Sequence, residues 1–151
     1  MRQILMSVGV AIPLFLMSGG CTKAPVSLIT VALNSTNIVF QPNLQPPITL
    51  SDAQAQTVKS IVERFREPSQ VRAEKDILPH ESGAFVLGGV HFGWLGRMLY
   101  VHDPRTARYY VVEDMTLARL SEAFFKAQGQ KPPLKYPSQE EWRQILTVLE
   151  K

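Results

Sequence analysis

The side chains of this 151-residue sequence that could carry chemistry are its three histidines, its single cysteine and a glycine-rich stretch near the middle. His91 and His102 fall in neighbouring β-rich runs, and two imidazoles on one sheet face form a metal site only when both reach one ion at about 2 Å. If Phe92 stands opposite Arg97, then Met98 opposes His91 and His102 lies four residues farther on, about 13 Å away at roughly 3.3 Å per residue. No shared metal and no cofactor is expected from that spacing. Asp103 follows His102 directly, but successive strand residues point to opposite faces, so the carboxylate cannot orient the imidazole as in a catalytic triad. His80-Glu81 sits in a polar connection and reads as a solvated loop. Gly88, Gly89, Gly93 and Gly96 lack the strand-to-helix setting and the lysine of a phosphate-binding loop. Gly-x-Ser-x-Gly, His-Glu-x-x-His and a Cys-His pairing are all missing from the sequence, so a non-catalytic protein is expected.

The elements that must position these residues predict an α+β fold: an antiparallel three-stranded meander packed with about three helices. The strands are expected over Ala84–Phe92, Arg97–Asp103 and Arg108–Glu113, with Asp103-Pro104 opening the second turn. A further strand is expected from residues 26–41, where Val26–Leu33 and Asn37–Gln41 are β-rich, or from residues 70–76. With Asp103 opposite Arg108, one face gathers Val86, Val90, Phe92, Leu99, Val101, Tyr110 and Val112 and should pack under the helices. The other gathers Phe85, Leu87, His91, Met98, Tyr100, His102, Tyr109, Val111 and Glu113, far less polar than an ordinary solvated face. His91, Met98, Tyr100, His102 and Tyr109 form the candidate binding face. Gly88-Gly89 marks the weak point of this register, because a bulge there would invalidate the register past that point.

Helices are expected where apolar residues recur at helical spacing behind a cap. Ser51-x-x-Gln54 precedes Val58, Ile61, Val62 and Phe65; Asp114 precedes Leu117, Leu120 and Phe124; Ser138-x-x-Glu141 precedes Trp142, Ile145, Leu146 and Leu149. Pro68 and Gly129 end the first two.

The N-terminal stretch has another character. Arg2, an apolar run from Ile4 to Met17, and Ser18-Gly19-Gly20 before Cys21 make a secretory signal peptide, too short in its apolar part for the roughly 20 residues of a membrane span. A small-small-Cys ending resembles the lipobox of bacterial lipoproteins, although Ser18 stands where lipoboxes usually carry Leu. The resemblance implies that Cys21 is acylated and becomes the mature N-terminus. Thr22 is not the Asp linked with inner-membrane retention, which implies a protein anchored in the cell envelope at the outer membrane. Residues 1–20 then form the signal, residues 21–50 an acylated N-terminus with a Pro-containing tether of some strand content, and residues 51–151 one globular domain.

Without residues 1–20 the chain keeps 15 basic and 13 acidic residues, spread without a run of like charge. Nucleic acid is therefore not an expected partner. With one cysteine no internal disulfide can form, so stability must come from apolar burial. The function expected is a lipid-anchored binding or assembly module, with the membrane as one partner through Cys21 and an envelope protein as the other. The alternative is a periplasmic module for a small molecule, glycan or metal, and after it a small envelope hydrolase.

Overall fold

The computed structural model describes residues 20–72, 82–129 and 135–151. In chain order these residues form α1 (Val26–Leu33), β1 (Ile38–Pro42), β2 (Ile48–Thr49), α2 (Asp52–Glu63), β3 (Gln70–Arg72), β4 (Gly83–Leu87), β5 (Val90–Leu95), β6 (Met98–Asp103), β7 (Arg108–Glu113), α3 (Met115–Gln128) and α4 (Gln139–Leu146). Short 3₁₀ turns follow α2 and α4. The fold is α+β, as expected. The sheet is larger than a three-stranded meander: seven antiparallel strands in the order β2-β1-β4-β5-β6-β7-β3.

Local chemistry sets several of these boundaries. Ser51 and Ser138 each close a complete capping box, with Gln54 and Glu141 returning the bond to the cap amide. Asp114 accepts from the Thr116 amide, and Gly129 ends α3 at φ 75°. The Glu141 carboxylate is held below its usual range, first by the Ser138 backbone N–H (2.6 Å), then by the Ser138 side chain and nearby Lys135, against a small opposing effect of desolvation. A carboxyl with a lowered folded pKa adds stability that is complete above its unfolded value, about 4.3, and is lost as pH falls through the folded value. The expected result is that Glu141→Gln, which keeps the capping geometry, flattens the acid limb of the stability curve. Denaturant midpoints measured from about pH 5 down to pH 2 check this against the parent.

Residues 26–33 correct the β-rich reading of that run, because they form a helix. Four of its residues are β-branched, each costing at most about 0.7 kcal/mol in a helix relative to alanine. Burial of Ile29 alone contributes about 1.5–3 kcal/mol, and Ile29 and Ala32, at i and i+3, are both fully buried. Asn37–Gln41 does pair as a strand: β1 lies along β4, with Phe40 opposite Phe85. Residues 22–50 are therefore no free tether in this fold. Ala24, Ile29, Ala32, Ile38, Phe40, Ile48 and Leu50 are all in the core. β3 supplies the strand expected near residue 70, pairing Gln70 with Val111 and Arg72 with Tyr109; residues 73–76 lie outside the described residues.

The largest register correction is at Gly88-Gly89. The expected strand Ala84–Phe92 is two strands, β4 and β5, joined by a tight turn in which both glycines take positive φ, 58° and 79°. That is the backbone of a two-residue hairpin turn, a conformation an L side chain resists. A Cβ at Gly88 would also come within 3.0 Å of the Val31 carbonyl oxygen. The turn exchanges the faces of β4: Phe85 and Leu87 enter the core, and Val86 moves to the other side.

The helices share the sheet face that carries Ile38, Phe40, Phe85, Leu87, Phe92, Trp94, Leu99, Val101, Tyr110 and Val112. An aromatic cluster knits them to it. Trp142 of α4 stacks on Phe124 of α3 (5.1 Å between ring centres, 17° between planes) and lies 4.9 Å from Phe40 and 6.4 Å from Trp94.

Candidate functional site

The five residues of the candidate binding face share one side of the sheet, but they do not share exposure. His91 and His102 are exposed and Met98 is half-buried, whereas Tyr100 and Tyr109 are only 5% and 9% exposed. Tyr100, Tyr109 and Val111 form a small second apolar cluster with Leu95 and Met98 against it. The Tyr100 ring lies over Gly93, in space that any Cβ at that position would occupy. The Tyr100 and Tyr109 rings are 6.1 Å apart, and the His102 ring packs on Tyr109 at 4.6 Å. Far from being an open aromatic platform, this face is closed at its tyrosines and accessible at its histidines.

The observed strand pairing also changes the spacing of those histidines. Phe92 stands opposite Val101, and Leu95 opposite Met98, four residues away from the register expected at that hairpin. His91 and His102 each lie one residue beyond the last pair, Phe92 with Val101, so the separation of about 13 Å expected from the sequence spacing does not hold. Two imidazoles supply half of a four-ligand zinc set. Among the described residues no group of three or more His, Cys, Asp or Glu side chains is placed to hold a metal ion. His80 and Glu81 lie outside the described residues.

Asp103 is buried on the opposite face and caps its own turn, accepting from the Arg105 amide (3.0 Å) and the Thr106 hydroxyl (2.8 Å). A structural role accounts for both carboxylate oxygens. Asp103 stands opposite Arg108, as the sequence spacing predicts.

Shallow clefts also occur among the described residues. One, of about 210 Å³, lies between Arg64, Glu67, Ser69, Gln70 and Glu113; another, of about 290 Å³, lies between β2, α2 and the end of α4. In the first, Arg64 is held by the Asp114 carboxylate (2.9 Å) and the Glu113 carbonyl (2.7 Å), so its guanidinium is engaged by the protein itself. Both fall below the roughly 300–1,000 Å³ of ordinary small-molecule pockets.

Cys21 is exposed. One residue later the chain is pinned: Thr22 and Ser69 exchange two backbone hydrogen bonds (3.2 and 2.9 Å), the Ala24 amide donates to the Phe65 carbonyl (3.2 Å), and Ala24 is buried. This attachment places Cys21 at one corner of the sheet, beside the start of β3. The same sheet end holds the β5–β6 turn at Gly96-Arg97 and the β1–β2 turn at 43–47. His91, His102, Gly88-Gly89 and the 104–107 turn occupy the opposite end.

Leu44 is a feature that sequence reasoning missed. It is fully exposed at the tip of the β1–β2 turn and sits at φ 57°, a left-handed conformation uncommon for a branched apolar residue. Its one sequence signal is a lone leucine inside Pro-Asn-Leu-Gln-Pro, where turn formers surround it. Among the described residues, no helix is long and apolar enough to cross a membrane. Comparison with known proteins finds no family model, no curated protein and no solved structure that matches this chain.

Proposed function

We propose that this chain is a lipid-anchored, non-catalytic binding or assembly module of the bacterial cell envelope, held at the outer membrane through an acylated Cys21. The observation that carries the reading is the position of Cys21: exposed, directly after the signal-like Ser18-Gly19-Gly20, and one residue before the Thr22–Ser69 pairing that fixes the chain to its fold. Stable anchoring takes two or more acyl chains, since one alone binds only marginally. The end of the sheet remote from Cys21, with His91, His102 and the 104–107 turn exposed, is the surface offered to a protein partner. Burial of Tyr100 and Tyr109 moves that surface away from the centre of the sheet face and toward its histidine end.

Cys21→Ser tests the anchor. The expected result is that the protein leaves the membrane fraction or stays unprocessed, and that incorporation of labelled fatty acid disappears. Persistent labelling of the serine variant would refute acylation at Cys21.

A further inference from the structure

Several of the exposed apolar side chains gather at the Cys21 end of the sheet, although Val31 lies beside Gly88 at the other. Among the described residues the large apolar side chains most open to solvent are Val26, Val31, Leu44, Met115, Phe125 and Tyr136. Leu44 crowns the β1–β2 turn at the sheet end that also carries Cys21. Tyr136 is tied to that turn, its hydroxyl 3.2 Å from the Asn43 amide nitrogen, with Gln45 donating to the Pro137 carbonyl (2.6 Å). Phe125 follows Phe124, whose ring lies 6.5 Å from Tyr136. Met115 follows Asp114, whose amide donates to the Arg97 carbonyl in the β5–β6 turn at the same end (2.9 Å). Exposed Lys23 and Lys135 stand beside Cys21 and Tyr136, whereas Arg97, in the turn between them, is paired with the Glu113 carboxylate (3.2 Å).

We infer that this sheet end is a bilayer-docking surface, on which Leu44 and Met115 enter the acyl-chain boundary while Tyr136, Lys23 and Lys135 lie at headgroup depth. The inference rests on the anchoring of Cys21 proposed above. Cys21 and Leu44 mark its two corners. Five strand spacings separate β3 from β1, about 24 Å at 4.8 Å each. The sheet twists by about 20–25° per strand, but strands of five or six residues are only about 17–20 Å long, so the corners fall behind the centre by only a few ångströms. The pinning at Thr22 removes the slack that would let the domain stand off. An aromatic hydroxyl beside apolar tips suits the polar-apolar boundary of a membrane, and the two lysines complement anionic headgroups. Each of these placements is separate from the signal-peptide reading, since none uses residues before Cys21.

The test uses the full acylated protein, reconstituted into vesicles of phosphatidylethanolamine and phosphatidylglycerol. With the Cys21 thiol alkylated, Leu44→Cys, Met115→Cys or Arg105→Cys each supplies one free thiol for an environment-sensitive fluorophore. Labels at 44 and 115 are expected to be quenched by nitroxides on the lipid chains and shielded from aqueous iodide, and the label at 105, on the remote turn, to behave in the opposite way. If the protein floats with the vesicles but all three labels respond only to iodide, docking is overturned and anchoring stands. If it does not float and the Cys21 thiol is free, both fail. Shielding at 44 that requires added envelope extract and brings no nitroxide quenching overturns the bilayer in favour of a protein occupant. Leu44→Gly, which suits the backbone at φ 57°, is expected to keep the melting transition while reducing nitroxide quenching at 115.

Discussion

Truncating Trp142 to alanine is expected to cost about 3–5 kcal/mol, the range for removing a buried indole whose cavity cannot collapse. The site cannot close, because Phe40, Trp94 and Phe124 hold the indole from three elements and are themselves fully or nearly fully buried. Against a total of about 5–15 kcal/mol for a domain, such a loss leaves a marginal fold. The Trp142 Nε1 proton has no acceptor among the described residues, in contrast to Trp94, whose Nε1 donates to the Gly96 carbonyl (2.8 Å). Leaving a buried donor unsatisfied costs about 1–3 kcal/mol, so Trp142→Phe, which removes the donor with only part of the ring, is expected to lose far less than Trp142→Ala. Urea denaturation of the three proteins separates the effects. Equal losses for phenylalanine and alanine would show that neither the retained phenyl ring nor removal of the orphaned N–H recovers stability at this site.

The second large effect is expected at Gly93. Its backbone needs no glycine, since its φ is not positive, but its missing side chain gives the Tyr100 ring its seat. Gly93→Val drives a branched group into that ring, and overpacking of this kind costs about 1–3 kcal/mol. Tyr100→Ala empties the seat at its own cost, after which Gly93→Val should add little. The two substitutions are therefore expected to be coupled by about 0.5–3 kcal/mol, measured as the shortfall from additivity in a double-mutant cycle. Additive losses would mean that Tyr100 can leave Gly93 without consequence, and the closed state of the second face would lose its support.

What could be read in the sequence followed the strength of local chemistry. Ser51-x-x-Gln54, Asp114 and Ser138-x-x-Glu141 placed three helices, because each cap satisfies backbone groups within three residues of itself. Asp103 and Arg108 were paired correctly across a turn whose aspartate bonds its own backbone. Local chemistry was misleading at Val26–Leu33, where β-branched residues favour a strand and only contacts distant in sequence, such as Ala24 with Phe65, hold a helix in place. Gly88-Gly89 signals a break in the expected strand without telling a bulge from a turn, and the hairpin it makes reverses the faces of β4. The candidate face was legible as to side but not as to access: alternation puts Tyr100 and His102 together, whereas burial depends on Gly93, in the neighbouring strand. Leu44 could not be ranked above other loop residues without knowing which sheet end its turn shares.

Among the described residues the two borders of the sheet are short: β2 has two residues, and β3 has three, with Gln70 and Arg72 exposed. Long bare borders invite strand addition, and short ones carrying charge discourage it. Proteins tethered to one leaflet meet far more often than the same number free in three dimensions, because they share a plane. Under the anchoring proposed for Cys21, borders of this kind would act as insulation, letting copies lie side by side without one chain's sheet serving as a template for the next.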